Sequence, residues 1–108
     1  MTKYLVTFTY SIEGRRNFIK ERATRREEAI RAAYASAGGK IEALYWAIGG
    51  EFDGVAIAEF PDVASFGAIS TTMMASGALS EAHTVDLLTT TEMDAALGKL
   101  VSYRPPAG

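Results

Sequence analysis

With 108 residues, 48% of them hydrophobic and 22% charged, and a net charge of −2, the chain has the size and composition of one folded domain. The slightly acidic balance argues against a dedicated binder of nucleic acid or of an anionic membrane, since both need a positive field. The absence of cysteine excludes disulfides, a thiolate nucleophile and cysteine-ligated metals.

The opening run MTKYLVTFTY has neither a basic leader nor a long apolar core, so it does not read as a signal peptide. No apolar stretch approaches the roughly 20 residues of a membrane helix. A soluble cytoplasmic protein is the expectation. Lys3 to Tyr10, rich in β-branched and aromatic residues, is predicted to form a strand, and SIEGRRN, centred on Gly14, a turn.

The period then changes. Ala29, Ile30, Ala33, Tyr34 and Ala37 recur at helical spacing, with Thr24 and Glu27 as a capping box and Gly38–Gly39 as the stop. Strands follow at Lys40–Ile48 and Gly54–Phe60. Asp62 is the expected N-cap of a second helix, whose inner face is Val63, Phe66, Ile69, Ser70 and Met73 and which Gly77 ends. A fourth strand runs from about Glu81 to Leu88. A second capping box, Thr89 with Glu92, opens a short helix through Leu100. Residues 1–101 are thus expected to form one domain and 102–108 a frayed tail.

The order β-α-β-β-α-β plus a terminal helix predicts an α+β, ferredoxin-like fold with a four-stranded antiparallel sheet. Its strands do not alternate cleanly between apolar and polar residues. Ile41, Ala43, Tyr45 and Ala47 oppose Leu44, Trp46 and Ile48; Val55 and Ile57 oppose Ala56, Ala58 and Phe60; Val6, Phe8 and Tyr10 oppose Leu5 and two threonines. Helices cover one sheet face only, so the second apolar face calls for a partner. The expected partner is a second copy packed face to face; the alternative is that the C-terminal helix folds back over the open face.

The segments KYLVTFTYSIEGRRN, GGKIEALYWAIGGEFDGVAIAEFPD and TTTEMDAAL, taken in order, resemble the GYD-domain family. The signature is a glycine, a variable residue, an aromatic and an aspartate, here Gly50, Glu51, Phe52 and Asp53; Phe52 stands where the family more often has tyrosine. The resemblance implies the ferredoxin-like, dimeric α/β-barrel architecture and carries over no catalytic residue.

Function is less legible. In the signature turn, Gly49, Gly50 and Gly54 are read as suppliers of positive φ, Asp53 as a cap on its own turn, Glu51 as solvated and Phe52 as a plug on the sheet edge. This structural reading is favoured over an acid–base or metal pair of Glu51 and Asp53. His83, the single histidine, with Tyr10, Tyr45 and Trp46, makes a candidate ligand pocket between sheet and helices. Arg16 and Arg26, from a basic cluster interspersed with glutamates, are candidate anion contacts. There is no glycine-rich phosphate loop, G-x-S-x-G elbow or HExxH motif, and no cofactor is expected. The favoured function is a small-molecule-binding or assembly module acting as a homo-oligomer. The alternative is a cofactor-free oxygenase, haem-linked enzyme or isomerase using the sheet–helix cavity, with His83 as base or axial ligand.

Overall fold

The computed structural model describes residues 1–107. Its elements are β1 (Thr2–Tyr10), α1 (Ile12–Glu21), α2 (Ala23–Ser36), β2 (Lys40–Trp46), β3 (Gly54–Phe60), α3 (Val63–Ala75), β4 (Leu79–Leu87) and α4 (Thr90–Leu97). The strands form one antiparallel sheet in the order β2-β3-β1-β4, the ferredoxin-like topology. Val101 to Ala107 have no regular structure, and Gly108, the last residue of the expected tail, lies outside the described residues.

The core lies between the helices and one sheet face. Tyr4, Val6, Phe8 and Tyr10 of β1 point into it, with Ala56, Ala58 and Phe60 of β3 and Ile41 and Leu44 of β2. Ile30 and Tyr34 of α2 and Ile69 of α3 close it from above. Phe60 is fully buried and lies against Tyr34, Tyr4 and Phe66, with ring centroids 5.3–6.3 Å apart, the distances at which tilted aromatic pairs are favourable.

Several boundaries differ from expectation for identifiable reasons. SIEGRRN is not a turn. It opens α1, where the Ser11 hydroxyl accepts a hydrogen bond from the Gly14 amide at 3.0 Å. Gly14 sits inside the helix because a Cβ there would collide with the Ala78 carbonyl oxygen, so the residue marks a close approach of helix to loop. The Ser11 amide donates to that same carbonyl at 2.8 Å, and the Ser11 hydroxyl to Gly77 O at 2.8 Å. The Thr24–Glu27 capping box does not form. α2 starts two residues earlier, behind Arg22 and without a side-chain cap, and Glu27 instead accepts from Arg31 Nε at 2.9 Å. Val63 is exposed and not on the inner face of α3.

In β2 the register slips between Ile41 and Ala43, a bulge that puts Ile41 on the same side as Leu44. The expected grouping of Ile41 with Tyr45 is therefore wrong: Ile41 is buried and Tyr45 is 69% exposed. β2 ends at Trp46, short of the expected Ile48, and α4 at Leu97, short of Leu100, but the expected caps and glycine stops hold. Asp62 accepts from the Ser65 amide at 2.8 Å, and Thr89 and Glu92 exchange both bonds of a capping box. Gly38 and Gly77 adopt φ near +80° just past their helices.

Arg22, between α1 and α2, has φ 80° and ψ 158°, a conformation natural to glycine and strained for other residues. It caps the end of α1 and the start of α2 and so separates the two helices. Arg22→Gly is expected to raise stability by about 1 kcal/mol, the relieved strain less the entropy glycine adds to the unfolded chain. Gly14→Ala is expected to lower it by about 1–3 kcal/mol, because the helix must move off Ala78. Urea unfolding of both variants checks the two signs.

Candidate functional site

Strand parity separates the expected pocket residues. Tyr10 faces the helices and is 6% exposed. Trp46 lies on the same side, within an aromatic cluster: its ring is 4.7 Å from Phe18 and 6.0 Å from Phe8, and Phe18 stacks on Tyr10 at 5.1 Å. His83 and Tyr45 point the other way. His83 pairs across the sheet with Thr7, Thr7 with Val55, and Val55 with Tyr45, so the four share one rung of the open face. The expected four-residue pocket does not exist, because neighbours on one rung of a sheet point to the same face and Tyr10 lies on the other one.

The signature turn belongs to that open side. Glu51 and Phe52 line a shallow groove with Thr7, Glu81 and His83, in which His83 Nε2 is 3.4 Å from Glu81 Oε2. Among the described residues, no cluster of three or more metal-ligating side chains occurs. The three glycines of this region have different roles. Gly49 has φ +81°, Gly54 has no positive φ and instead leaves room for the Phe8 ring, and Gly50 shows neither demand.

Asp53 does more than cap its own turn. Its carboxylate accepts from the Tyr10 amide at 2.8 Å and from Arg15 Nη2 of α1 at 2.7 Å. Its amide donates to Phe8 O, and its carbonyl accepts from the Ala47 amide, both at 2.8 Å. One residue thus joins the β2–β3 turn to the end of β1 and to α1. Partial burial alone would raise its pKa, but Arg15 and the Tyr10 amide outweigh that and hold it below the usual carboxylate value.

On the helix side a two-lobed cleft lies between α1–α2 and α3. The apolar lobe, about 260 Å³, is walled by Ala29, Ile30, Ala33, Ile69, Met73 and Leu79. The polar lobe, about 130 Å³, has Glu13, Asn17, Glu21 and Ser76 at its mouth. Tyr10, Arg26, Ser76 and Ala78 line both. Among the described residues two buried side-chain N or O atoms have no hydrogen-bond partner: Tyr10 Oη and Arg26 Nε. Both belong to this cleft. Arg26 Nε lies 3.2 Å from Glu21 Oε1, close enough for ion pairing without hydrogen-bond alignment. Burial pushes the Tyr10 phenol up to about 12, with Arg26 opposing and Glu21 and Asp53 adding, so at neutral pH it remains an O–H donor.

Arg26, one of the two candidate anion contacts, is already paired with the Glu21 carboxylate at 3.2 Å. Arg16 is exposed on α1 and lines none of these cavities, so the two arginines do not make a joint anion site. The cleft itself is built by features the sequence reading did not contain: α1, unrecognised as a helix, and the Arg22 break, which turns Glu21 and Arg26 toward each other across the junction.

Two outcomes follow. Tyr10→Phe is expected to stabilise the unliganded protein by about 1 kcal/mol, since it deletes a buried hydroxyl that makes no hydrogen bond; thermal melting reads this directly. Asp53, with a folded pKa below its unfolded value near 4, contributes stability that is full above that value and is lost as pH falls through the folded pKa. Asp53→Asn is expected to flatten the acid limb of the stability–pH curve and cost about 1 kcal/mol at pH 7.

Comparison with known proteins sets this architecture among relatives. No curated protein sequence matches the chain. Among solved structures, FFRP-DM1 superposes with a TM-score of 0.54 at 12% identity, over 82% of this chain and 100% of that one. A transcriptional regulator from Neisseria meningitidis, solved as a complex with L-Met, gives 0.54 at 15% identity, over 82% of this chain and 51% of that one. An AsnC family transcriptional regulator from Agrobacterium tumefaciens gives 0.52 at 16% identity, over 96% and 56%. The chain spans about half the length of these two regulators, and at such identities the likeness is one of fold. The family model for the GYD domain matches residues 4–97, from the first core tyrosine through the signature turn to the end of α4, and the chain belongs to the GYD domain family.

Proposed function

We propose that the chain is a small-molecule-binding domain that works as a homo-oligomer, with the ligand in the helix–sheet cleft and the second copy on the open sheet face. One observation carries the binding part: Tyr10 and Arg26, whose buried Oη and Nε make no hydrogen bond, both line the same cleft, beside an apolar lobe. Leaving such groups unsatisfied costs free energy, and a ligand that meets them recovers it. The fold's likeness to domains of regulators, one of them solved with L-Met, supports a binding role.

Self-association is supported by the open face. Leu5 pairs with Ile57 on one side and Val85 on the other, and the neighbouring rung carries Tyr45 and Val55. Tyr45 and Val85 are exposed. No residue of α4 is buried, so the helix does not fold back as a cover. An uncovered apolar face of this kind on a small domain is an interface by default.

The alternative of an enzyme using His83 in the sheet–helix cavity loses its arrangement, because His83 stands on the opposite face from the cleft.

Light scattering is expected to give a dimer or a higher multiple at micromolar concentration, and Val85→Asp with Tyr45→Glu to shift it to a monomer of unchanged circular dichroism. A monomeric wild-type protein contradicts the assembly. For the cleft, Ala29→Leu fills the apolar lobe and is expected to abolish stabilisation by small ligands while leaving the oligomer intact.

A further inference from the structure

The chemistry of the cleft narrows the ligand, and this step rests on the binding reading above. Tyr10 Oη and Arg26 Nε are both donors and neither makes a hydrogen bond; the Glu21 carboxylate oxygen 3.2 Å from Arg26 Nε pairs with its charge but is not aligned to accept. Tyr10 keeps its proton at neutral pH and an arginine cannot lose its own, so both groups donate; the phenol oxygen can also accept, but the guanidinium cannot, and an acceptor is the one partner that suits both. What they lack is an aligned acceptor oxygen shared between them. The apolar lobe beside them, walled by Ala29, Ala33, Ile69 and Met73, has no charged group except Arg26 and takes a compact hydrocarbon body.

The charge inventory decides which oxygen. The polar lobe carries Glu13 and Glu21 against one cation, Arg26, and Arg26 is held 3.2 Å from Glu21. The next carboxylate, Asp53, is itself paired with Arg15 at 2.7 Å. The lobe is thus net negative by one charge. A free anion entering it meets repulsion that a single shared guanidinium does not offset, because like charges in a partly desolvated site cost more than at the surface.

We infer that the cleft binds a small molecule with a compact apolar body and a carbonyl or carboxylate oxygen, carrying no net negative charge. That chemistry has two sources, an uncharged carbonyl compound or a zwitterion whose ammonium faces Glu13 and Glu21. The oxygen accepts from Tyr10 Oη and Arg26 Nε, and the hydrocarbon lies between α2 and α3.

A matched series of one carbon skeleton tests this on the wild-type oligomer: isocaproamide (uncharged, with an acceptor), L-leucine (zwitterion), isocaproate (anion) and isohexylamine (no acceptor), each at millimolar concentration in a thermal-shift titration. Isocaproamide, L-leucine or both are expected to raise the melting temperature, whichever is tighter identifying the source, and isocaproate and isohexylamine to fall clearly behind. Tyr10→Phe and Arg26→Gln, the latter at a partly exposed position where folding is safe, are each expected to weaken the binding about tenfold. Glu21→Gln removes one negative charge and is expected to improve isocaproate relative to the amide.

Isohexylamine binding as tightly as isocaproamide, or isocaproate binding tightest to the wild-type protein, overturns the ligand class while the cleft remains a binding site. Wild-type binding unaffected by Tyr10→Phe and Arg26→Gln also overturns it. If none of the four binds, the ligand class and the cleft reading fall together.

Discussion

Because successive residues of a strand point to opposite faces, docking the helices onto one face of this sheet decides the surroundings of every strand residue at once. Tyr4, Val6, Phe8 and Tyr10 go inward as a set, and Lys3, Leu5, Thr7 and Thr9 go outward as a set. The same rule carries across the ladders, so that Thr7, Val55, Tyr45 and His83 share a rung. The sheet is consequently two surfaces with separate roles. The helix side is a sealed aromatic core that opens at one end into a cleft, and the other side is a half-apolar plane with the signature turn at its margin.

The open end of the core coincides with the least relaxed part of the chain. Arg22 holds a glycine-like conformation, the Tyr10 hydroxyl is buried without a partner, and Arg26 Nε is buried without a hydrogen bond. Each of these lowers stability, and they converge where α1 meets α2. Costs concentrated in this way mark sites kept for something other than stability. Asp53 keeps the region in place from the opposite side. Its two side-chain bonds tie the end of β1 and the first helix to the turn between β2 and β3. The signature aspartate thus acts on the cleft without lining it, through the backbone of Tyr10.

The topology was legible because its signals are strong and local: alternating apolar strands, the stop at Gly38, the cap at Asp62 and the capping box at Thr89 and Glu92. What failed was everything that depends on a contact between distant segments. Gly14 reads as a turn until the Ala78 carbonyl that requires it is known. The β2 bulge changes which residue joins Leu44, and no pattern within β2 announces it. His83 and Tyr10 look alike as polar aromatics on strands, and only the pairing of β1 with β4 shows that they face apart. The role of Arg26 depended on Glu21 being within 3.2 Å, at the end of a helix whose first turn reads as a loop in the sequence.

Ligand binding in the cleft, as proposed, depends on the pair of buried donors, Tyr10 Oη and Arg26 Nε. A crystal structure of the protein grown with isocaproamide, and a second with L-leucine, tests it most directly. The predicted result is a ligand oxygen within hydrogen-bond distance of both Tyr10 Oη and Arg26 Nε, with the hydrocarbon between α2 and α3 and the helix break unchanged. Density for the ligand on the open sheet face beside His83, or in the cleft with its oxygen turned away from both donors, contradicts it.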